Sequence, residues 1–522
     1  MKPIVLTFDI GTQSLRAVLV DDSGNILFKE QIKYEEPYFS LNPGWAEQHG
    51  EFYWDNICKV SKQLKKDAGE LWDDIQAVSI STIRDTEICV DKDGKPVRPV
   101  TVWLDKREAG VEKPFSKKLQ LLFKIAGMEK VSNLMYNIAH CNWIKEHEPE
   151  NWAKTDKFLL LSGYMNFCFT GKMVDCTANI IGHLPYDSKN SKWLDEKSLM
   201  YALFPVPREK LCDLVYPGEV LGYITEKASE QTGIKPGLPL IATGSDKGCE
   251  TIGLGCTSPE KAALSFGTTA TIQYTTSKYV EPQKFVPPFV SAYKGSYNPE
   301  FEVFRGYWLI SWFKKEFAAK EVREAEEKGI IAEELLNKRL KEIPPGCEGL
   351  IFQPYFTPGV TTPNARGSVI GFTDVHTRIH IYRAIIEGIN FALYEGMQDL
   401  EKRMGVKTKE LYVAGGGSRS AEICQITADM FGLPVHRSQT HEATVIGSSA
   451  LAFTGIGHFK TIDEALEHMV QIKDVFEPDM EVHKMYKKMY DEIFCKVFNK
   501  LKPLYNVSKE MQEQYAEGKN NK

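Results

Sequence analysis

The apolar positions of the first 33 residues fall into short β-rich runs broken by polar turns. Ile4-Val5-Leu6-Thr7-Phe8-Asp9-Ile10 and Leu15-Arg16-Ala17-Val18-Leu19-Val20 flank the turn Gly11-Thr12-Gln13-Ser14, which is a hairpin pattern. Asp22-Ser23-Gly24-Asn25 is a further turn signal and predicts a third strand over Ile26 to Lys33. Phe52, Ile57, Val60 and Leu64 share one face at helical spacing, so a helix is expected from about Glu51 to Lys66, followed by an apolar strand from Ile75 to Ile83. That strand ends on Arg84-Asp85-Thr86-Glu87, and Ile88-Cys89-Val90 with the turn Asp91-Lys92-Asp93-Gly94 predicts another hairpin.

Residues 115 to 230 read as mostly helical with short strands, including a buried helix from Phe158 to Phe169. Leu238 to Ala242 is a buried strand that runs into the small residues around Asp246, with a helix opening near Cys249. Lys261 to Phe266 and Ala270 to Ile272 then repeat the opening design of strand, Gly-Thr turn and strand. The repeat places a boundary near residue 256, giving domains over 1–256 and 257–505 and a polar, frayed tail over 506–522. Within the second domain the pattern predicts a solvated charged helix over Glu316 to Lys341, and a strand at Leu350 whose loop runs to Arg366-Gly367. A long helix over His376 to Glu401 follows, then a strand Glu410 to Ala414 that ends in three glycines before a helix over Glu422 to Met430. The small-residue helix from Glu442 is expected to pack against that glycine run.

Composition narrows the class. The 522 residues exceed one ordinary core, and 43% hydrophobic with 26% charged residues describe a soluble globular chain. A net charge of −6 gives no general attraction to nucleic acid or to anionic membrane, so the expected partner is a small molecule. Eleven cysteines without a C-x-x-C pair argue for free thiols in a reducing compartment. The opening carries no basic-apolar-cleavage pattern, and the most apolar run, Phe158 to Thr170, is interrupted by Ser162, Gly163 and Asn166; the expected location is cytoplasmic.

The candidate chemistry sits at strand ends. Gly11 admits a close anion, Thr12, Gln13 and Ser14 offer donors in succession, and Asp9 suits a magnesium ion held through water. Asp246, with Gly244 and Gly248 leaving room beside it, suits a general base; the plainer alternative is that Ser245-Asp246 caps the next helix. Arg84 and Asp85 suit the hydroxyls of a small polyol or form a structural ion pair, and Trp103 suits stacking on a carbon skeleton or a place in the core. His140, His147 and His183 lack ligand spacing and read as structural or surface groups.

Taken in order, Asp9-Ile10-Gly11-Thr12, Pro43-Gly44-Trp45-Ala46-Glu47-Gln48, Gly244-Ser245-Asp246, Ser265-Phe266-Gly267-Thr268-Thr269 and Gly415-Gly416-Gly417-Ser418 resemble the FGGY carbohydrate kinases over nearly the whole chain. Gly371-Phe372-Thr373 to Glu387-Gly388 resembles the family's C-terminal signature. The resemblance implies an α/β fold of two actin-like, ribonuclease H-like ATPase domains closing around MgATP and a sugar or polyol. It implies Asp246 as base, Asp9 for magnesium, and Gly11, Thr12, Gln13, Ser14 and Arg16 near the transferred phosphate. It further implies Gly267, Thr268 and Thr269 as the second phosphate turn, Gly416, Gly417 and Ser420 at the adenosine, and Arg84, Asp85 and Trp103 at the acceptor.

ATP and Mg2+ are the implied cofactors, and a homodimer is a prior from relatives. Arg84-Asp85-Thr86 is similar to the Arg-Glu-Thr of glycerol kinases with a shorter acid, while other parts are similar to xylulokinases and pentulose kinases. Lys247 after the base and His140 before the Trp143-Ile144-Lys145 helix depart from the family pattern; for Lys247 the simplest reading is a surface salt bridge. The competing class is an actin-like or chaperone-like ATPase that switches shape for a protein partner. A catalytically silent sugar sensor is a third reading.

Overall fold

A strand buried at all seven of its positions, β1 (Ile4–Ile10), lies inside the first sheet with a neighbour on each side. Such a strand needs apolar residues on both faces, which explains its nearly unbroken hydrophobic run. It pairs antiparallel with β2 (Ser14–Asp21), which pairs with β3 (Ile26–Lys33), and it pairs parallel with β4 (Ile75–Thr82). β5 (Val220–Tyr223) and β6 (Pro239–Ile241) complete the order β5-β6-β4-β1-β2-β3, with β6 parallel to β4.

Leu6, Phe8 and Ile10 face one core, shared with Ile57, Val60 and Leu64 of the Gly50–Ala68 helix. Val5, with Val18, Val20 and Ala77, faces another core, closed by Val445, Ile446, Ala450 and Phe453 of the Ala443–Gly455 helix. At the polar position between them, the Thr7 hydroxyl is 2.9 Å from that of Ser79 and 2.8 Å from that of Ser449. The computed structural model describes residues 3–357 and 364–520.

A four-stranded sheet beside the first contains Glu47–Gln48, Val100–Thr101, Glu87–Val90 and Lys157–Leu160. The Phe158 to Phe169 run is therefore a strand to Leu160 and a helix only from Leu161 to Thr170. Its first residues complete the ladder of Glu87–Val90, with Ile88 opposite Leu159 and Cys89 opposite Phe158, and tertiary pairing overrides an apolar run that fits either period. Glu47 accepts from Arg98 at 2.8 Å and lies 3.0 Å from Arg107. Arg107 is also paired with Asp105 at 2.7 Å and lies 4.0 Å from the Trp45 ring and 4.5 Å from the Trp143 ring. Burial pushes the Asp105 carboxyl up, but Arg107 and two backbone N–H groups reverse this and hold it below the usual carboxylate range. The Trp45–Gln48 segment thus anchors a buried ionic cluster.

The second sheet repeats the plan with β7 (Lys261–Phe266), β8 (Ala270–Gln273), β9 (Glu300–Val303), β10 (Glu410–Ala414), β11 (Val435–Ser438) and β12 (Ile472–Phe476), in the order β9-β8-β7-β10-β11-β12. β7 is antiparallel to β8 and parallel to β10, as β1 is to β2 and β4. The long helix runs over Arg378–Met404. On it Arg383 donates to Glu387 at 2.7 Å, Tyr486 donates to the same carboxylate at 2.7 Å, and a Cβ on Gly388 would lie 2.2 Å from the Phe352 carbonyl oxygen. The segment from Arg383 to Gly388 is thus a packing device.

The chain forms two compact units: 1–255 with 276–298 and 443–471, and 256–275 with 299–442 and 472–522. Two stretches assigned by sequence to the second domain, Thr276–Asn298 and Ala443–Gln471, therefore belong to the first unit. The Ala443–Gly455 helix packs on the Asp246–Gly253 helix. A Cβ on Gly447 would lie 2.1 Å from the Cys249 carbonyl oxygen, and one on Gly253 only 1.9 Å from that of Ala443. Only glycine lets these two backbones touch.

The segment from 506 also departs from expectation: it continues the helix Cys495–Asn520. Asn364 donates to Asn506 at 2.9 Å and Arg366 to Gln512 at 2.9 Å, so polar residues find partners there that composition does not reveal. Positions 521–522 and part of the loop expected up to Arg366, residues 358–363, lie outside the described residues. Among the described residues no helix is long and apolar enough to cross a membrane.

The helix contact yields a stability prediction. Gly447→Ala and Gly253→Ala should each lower unfolding stability by about 1–3 kcal/mol through overpacking. Gly416→Ala, whose added Cβ meets nothing within 4 Å, should leave the unfolding midpoint unchanged. Chemical denaturation of the three variants measures this, and wild-type midpoints for Gly447→Ala and Gly253→Ala would refute the contact.

Candidate active site

β4 lies between β1 and β6 and runs parallel to both, so the three strands end side by side. Asp9 is the penultimate residue of β1, opposite Ser81, the Arg84-Asp85 pair follows β4, and Thr243 to Asp246 follows β6. Open α/β sheets bind ligands at the carboxyl ends of such strands.

Asp246 opens its helix and Ser245 caps it, the Ser245 hydroxyl accepting from the Gly248 N–H at 3.3 Å. The two sequence alternatives for Ser245-Asp246 thus separate by residue. Arg84 Nε donates to the Ser245 hydroxyl at 3.2 Å and lies 3.9 Å from Asp246 Oδ1. Burial pushes the Asp246 carboxyl above the ordinary aspartate range, and the charges of Arg84 and Lys247 and the Lys247 N–H partly offset that rise. Its side chain still keeps 29% of its surface, so the carboxylate is within reach of a ligand. Lys247 forms an ion pair with Glu250 at 3.1 Å.

The hairpin turn is held by the Gly11 N–H donating to the Ser14 carbonyl at 2.9 Å. Gln13 at its tip is exposed, while Ser14 is buried and accepts from Gln31 at 3.0 Å. Asp9 is buried and accepts from Arg16 at 2.6 Å, its cross-strand neighbour. A single carboxylate at this turn fits magnesium held mainly through water and phosphate oxygens. Trp103 is fixed by its indole N–H, which donates to the Thr12 hydroxyl at 2.9 Å, and its ring packs against the core.

Asp85 has φ 47, a left-handed conformation that a non-glycine residue adopts at a cost. Three bonds hold it there: its N–H donates to the Ile181 carbonyl at 3.0 Å, and both the N–H and Nδ1 of His183 meet its carboxylate at 3.2 Å. Gly182, at φ 152, passes so close that a Cβ would lie 2.5 Å from Asp85 Oδ1. Next to this pair, Glu87 lies 2.7 Å from His140 Nδ1, and the two histidine rings are 6.4 Å apart.

Burial opposes charge on all four groups, yet His183 and His140 hold Asp85 well below the usual carboxylate range. In return Asp85, with Glu87, lifts His183 to about 9. Glu87 lifts His140 by the same means, while burial and the neighbouring Asp85 charge keep Glu87 itself raised. Asp85, Glu87 and His183 bring ligand atoms within 4.8 Å of one another, close enough to share a cation, and in this arrangement each carboxylate already has an imidazole partner. Sequence spacing gave no sign of His140 or His183, because 53 residues separate His140 from Glu87 and 98 separate His183 from Asp85.

In the second unit, Gly267, Thr268 and Thr269 form the turn between β7 and β8, and the carbonyls of Gly267 and Thr268 accept from the N–H groups of Tyr307 and Trp308. β7 is parallel to β10, with Ser265 opposite Ala414, so this turn and Gly415–Gly417 end adjacent strands. The rings of Phe266 and Tyr307 fill the space behind them, leaving no room for a side chain at Gly417, whereas Gly416 presents open backbone. Ser420 caps the Ala421–Phe431 helix, accepting from the Ile423 N–H at 3.3 Å and donating to Glu422 at 2.8 Å.

The chain is similar to known proteins along most of its length. Residues 4–253 match the N-terminal domain and residues 262–456 the C-terminal domain of the FGGY family of carbohydrate kinases. The chain is similar to the uncharacterized sugar kinase YgcE of Escherichia coli, 28% identical over 494 residues, 94% of this chain and 93% of that protein. It is similar to the xylulose kinase of Staphylococcus epidermidis, 27% identical over 518 residues, 97% of this chain and 98% of that one. The ligand-bound xylulose kinase from Lactobacillus acidophilus superimposes with a TM-score of 0.82 at 22% identity, covering 97% of this chain and 99% of its own, a likeness of fold. Both sheets follow the plan of the actin-like ATPase fold of such kinases. With both domain matches in chain order and spanning most of its length, the chain belongs to the FGGY family of carbohydrate kinases.

Proposed function

We propose that the protein transfers the γ-phosphate of ATP to a hydroxyl of a small sugar or polyol, a pentulose such as xylulose or a polyol such as glycerol, with Asp246 as general base. The observation that carries this reading is a reachable carboxylate of raised proton affinity, placed by a helix start beside Arg84. Relatives named xylulose kinase and glycerol kinase support the acceptor class.

Asp246 takes the proton of the acceptor hydroxyl as its oxygen attacks the γ-phosphorus, and ADP leaves. Arg84 and Asp85 orient the acceptor, and Trp103 forms a rigid wall through its bond to Thr12. The Gly11–Ser14 turn and Arg16 serve the transferred phosphate, Gly267, Thr268 and Thr269 form a second phosphate turn, and the backbone at Gly416 and Gly417 serves the adenosine. Ser420, engaged in its helix cap, offers its hydroxyl oxygen next to that turn. Asp9 would hold magnesium, which supplies charge neutralisation on the phosphate oxygens. Transfer of this kind rests on positioning and electrostatic stabilisation.

ADP release with MgATP across glycerol, tetritols, pentitols, pentuloses, hexuloses and sugar acids tests the reading. Asp246→Asn should bind nucleotide and acceptor normally while kcat falls at least ~10²-fold, the loss expected of a general base. Near-normal turnover removes Asp246 from the role, and ATP hydrolysis indifferent to every acceptor supports a shape-switching ATPase instead. Because Asp246 must be ionised and its folded value is raised, activity should be lost as pH falls through that value, with an acid limb above the ordinary aspartate range. Gly416→Ala should fold as the wild type, raise the KM for ATP and leave the acceptor KM unchanged; equal shifts in both KM values would count against a nucleotide role for this turn.

A further inference from the structure

Resting on the acceptor-kinase reading, this inference extends it to a residue that sequence motifs passed over. Asp85 and His183 are bound to each other at two points, the His183 N–H and its ring Nδ1, so the imidazole plane is fixed relative to the carboxylate. The strained φ of Asp85 and the close passage of Gly182 leave little freedom for either partner. Behind them stand Glu87 and His140, a second carboxylate–imidazole pair, and the Phe204 ring packs edge-on at 5.9 Å from His183. His183 keeps 22% of its side-chain surface and Asp85 25%. With Nδ1 committed to Asp85, His183 Nε2 has no protein partner among the described residues. A partly exposed carboxylate and a partly exposed imidazole thus sit side by side on a rigid mount, next in the chain to Arg84, which reaches Ser245 and Asp246.

We propose that His183 is a specificity-determining residue of the acceptor site, its Nε2–H donating to one oxygen of a vicinal oxygen pair on the substrate while Asp85 accepts from the neighbouring hydroxyl. The substrate class is then a polyol or ketose carrying such a pair at the end remote from the phosphorylated hydroxyl. A fixed donor–acceptor pair rejects an analogue lacking either oxygen because one buried polar group is left unmatched. The charges that face His183 are those of Asp85, Glu87 and His140, and the two carboxylates keep the imidazole protonated to about pH 9. The contact is therefore present below that pH and is lost as pH rises through it.

The test combines acceptor KM, ATP KM and kcat with calorimetric acceptor binding in the absence of ATP, for the wild type, His183→Gln and His183→Ala, using the acceptor panel and deoxy analogues of whichever acceptor binds. The expected result is a 10- to 100-fold weaker acceptor KM and binding in His183→Ala, the scale of one charge-assisted hydrogen bond, with the ATP KM unchanged. His183→Gln, which keeps an N–H donor, should recover part of the loss, and wild-type affinity should weaken above about pH 9 in a limb that His183→Gln lacks. Unchanged acceptor KM in both variants overturns the inference and leaves the kinase reading standing, as does a lowered melting point without a KM change. An acceptor that binds with the His183 dependence but is never phosphorylated upholds the inference and removes the kinase reading. A wild type that binds no member of the panel overturns both.

Discussion

Parallel pairing of β4 between β1 and β6 is the constraint on which the first unit depends. Parallel neighbours end at the same edge, so residues 9, 84, 85 and 246, far apart in the chain, are carried to one end of the sheet without any long loop. Hydrogen bonds slanted between parallel strands fix this register, and a one-residue slip would turn Thr7 away from Ser79 and Ser449 and bury a different face. Because β1 is buried on both faces, it has no solvent side to absorb such a slip.

Much of this was legible in the sequence, for physical reasons. Apolar runs broken by turns of Gly, Thr, Ser and Asn punctuate the start of the chain clearly, so β1, β2, β3 and the helix from Gly50 stand where hydrophobic spacing places them. Asp9, Arg84 and Asp246 stand out in the sequence because each puts a charge suited to metal, hydroxyl or proton chemistry at the end of an apolar strand. The Phe158 run starts as a strand where a helix is expected, since an apolar tetrapeptide has no period and its pairing with Glu87–Val90 decides its form. His140 departs from the family pattern in the sequence, but its pairing and that of His183 are not legible there, because their partners lie across the fold and a single histidine carries no local signal until a carboxylate is placed beside it.

Ionised side chains withdrawn from solvent recur through the first unit, and several are balanced in small groups of opposite charge. Glu47 with Arg98 and Arg107, Asp9 with Arg16, and Asp85 with His183 all pair at hydrogen-bonding distance. Buried pairs of this kind add little net stability, but losing one member is costly, so they favour a single geometry over its near alternatives. That preference matters most around Asp85, where the carboxylate is aimed by a backbone conformation that is itself unfavourable.

The Ala443–Gly455 helix covers the Val5, Val18, Val20 and Ala77 face, yet it is encoded about 190 residues after the first segment of that unit ends. A ribosome adding ~5–20 residues per second takes roughly 10–40 s to cover that gap. For that interval the nascent first segment carries an uncovered apolar sheet face, the kind of surface that chaperones bind and that aggregates when they do not. Cutting the gene after residue 255 would make the exposure permanent, so the first 255 residues are a contiguous sequence block without being a self-sufficient folding unit.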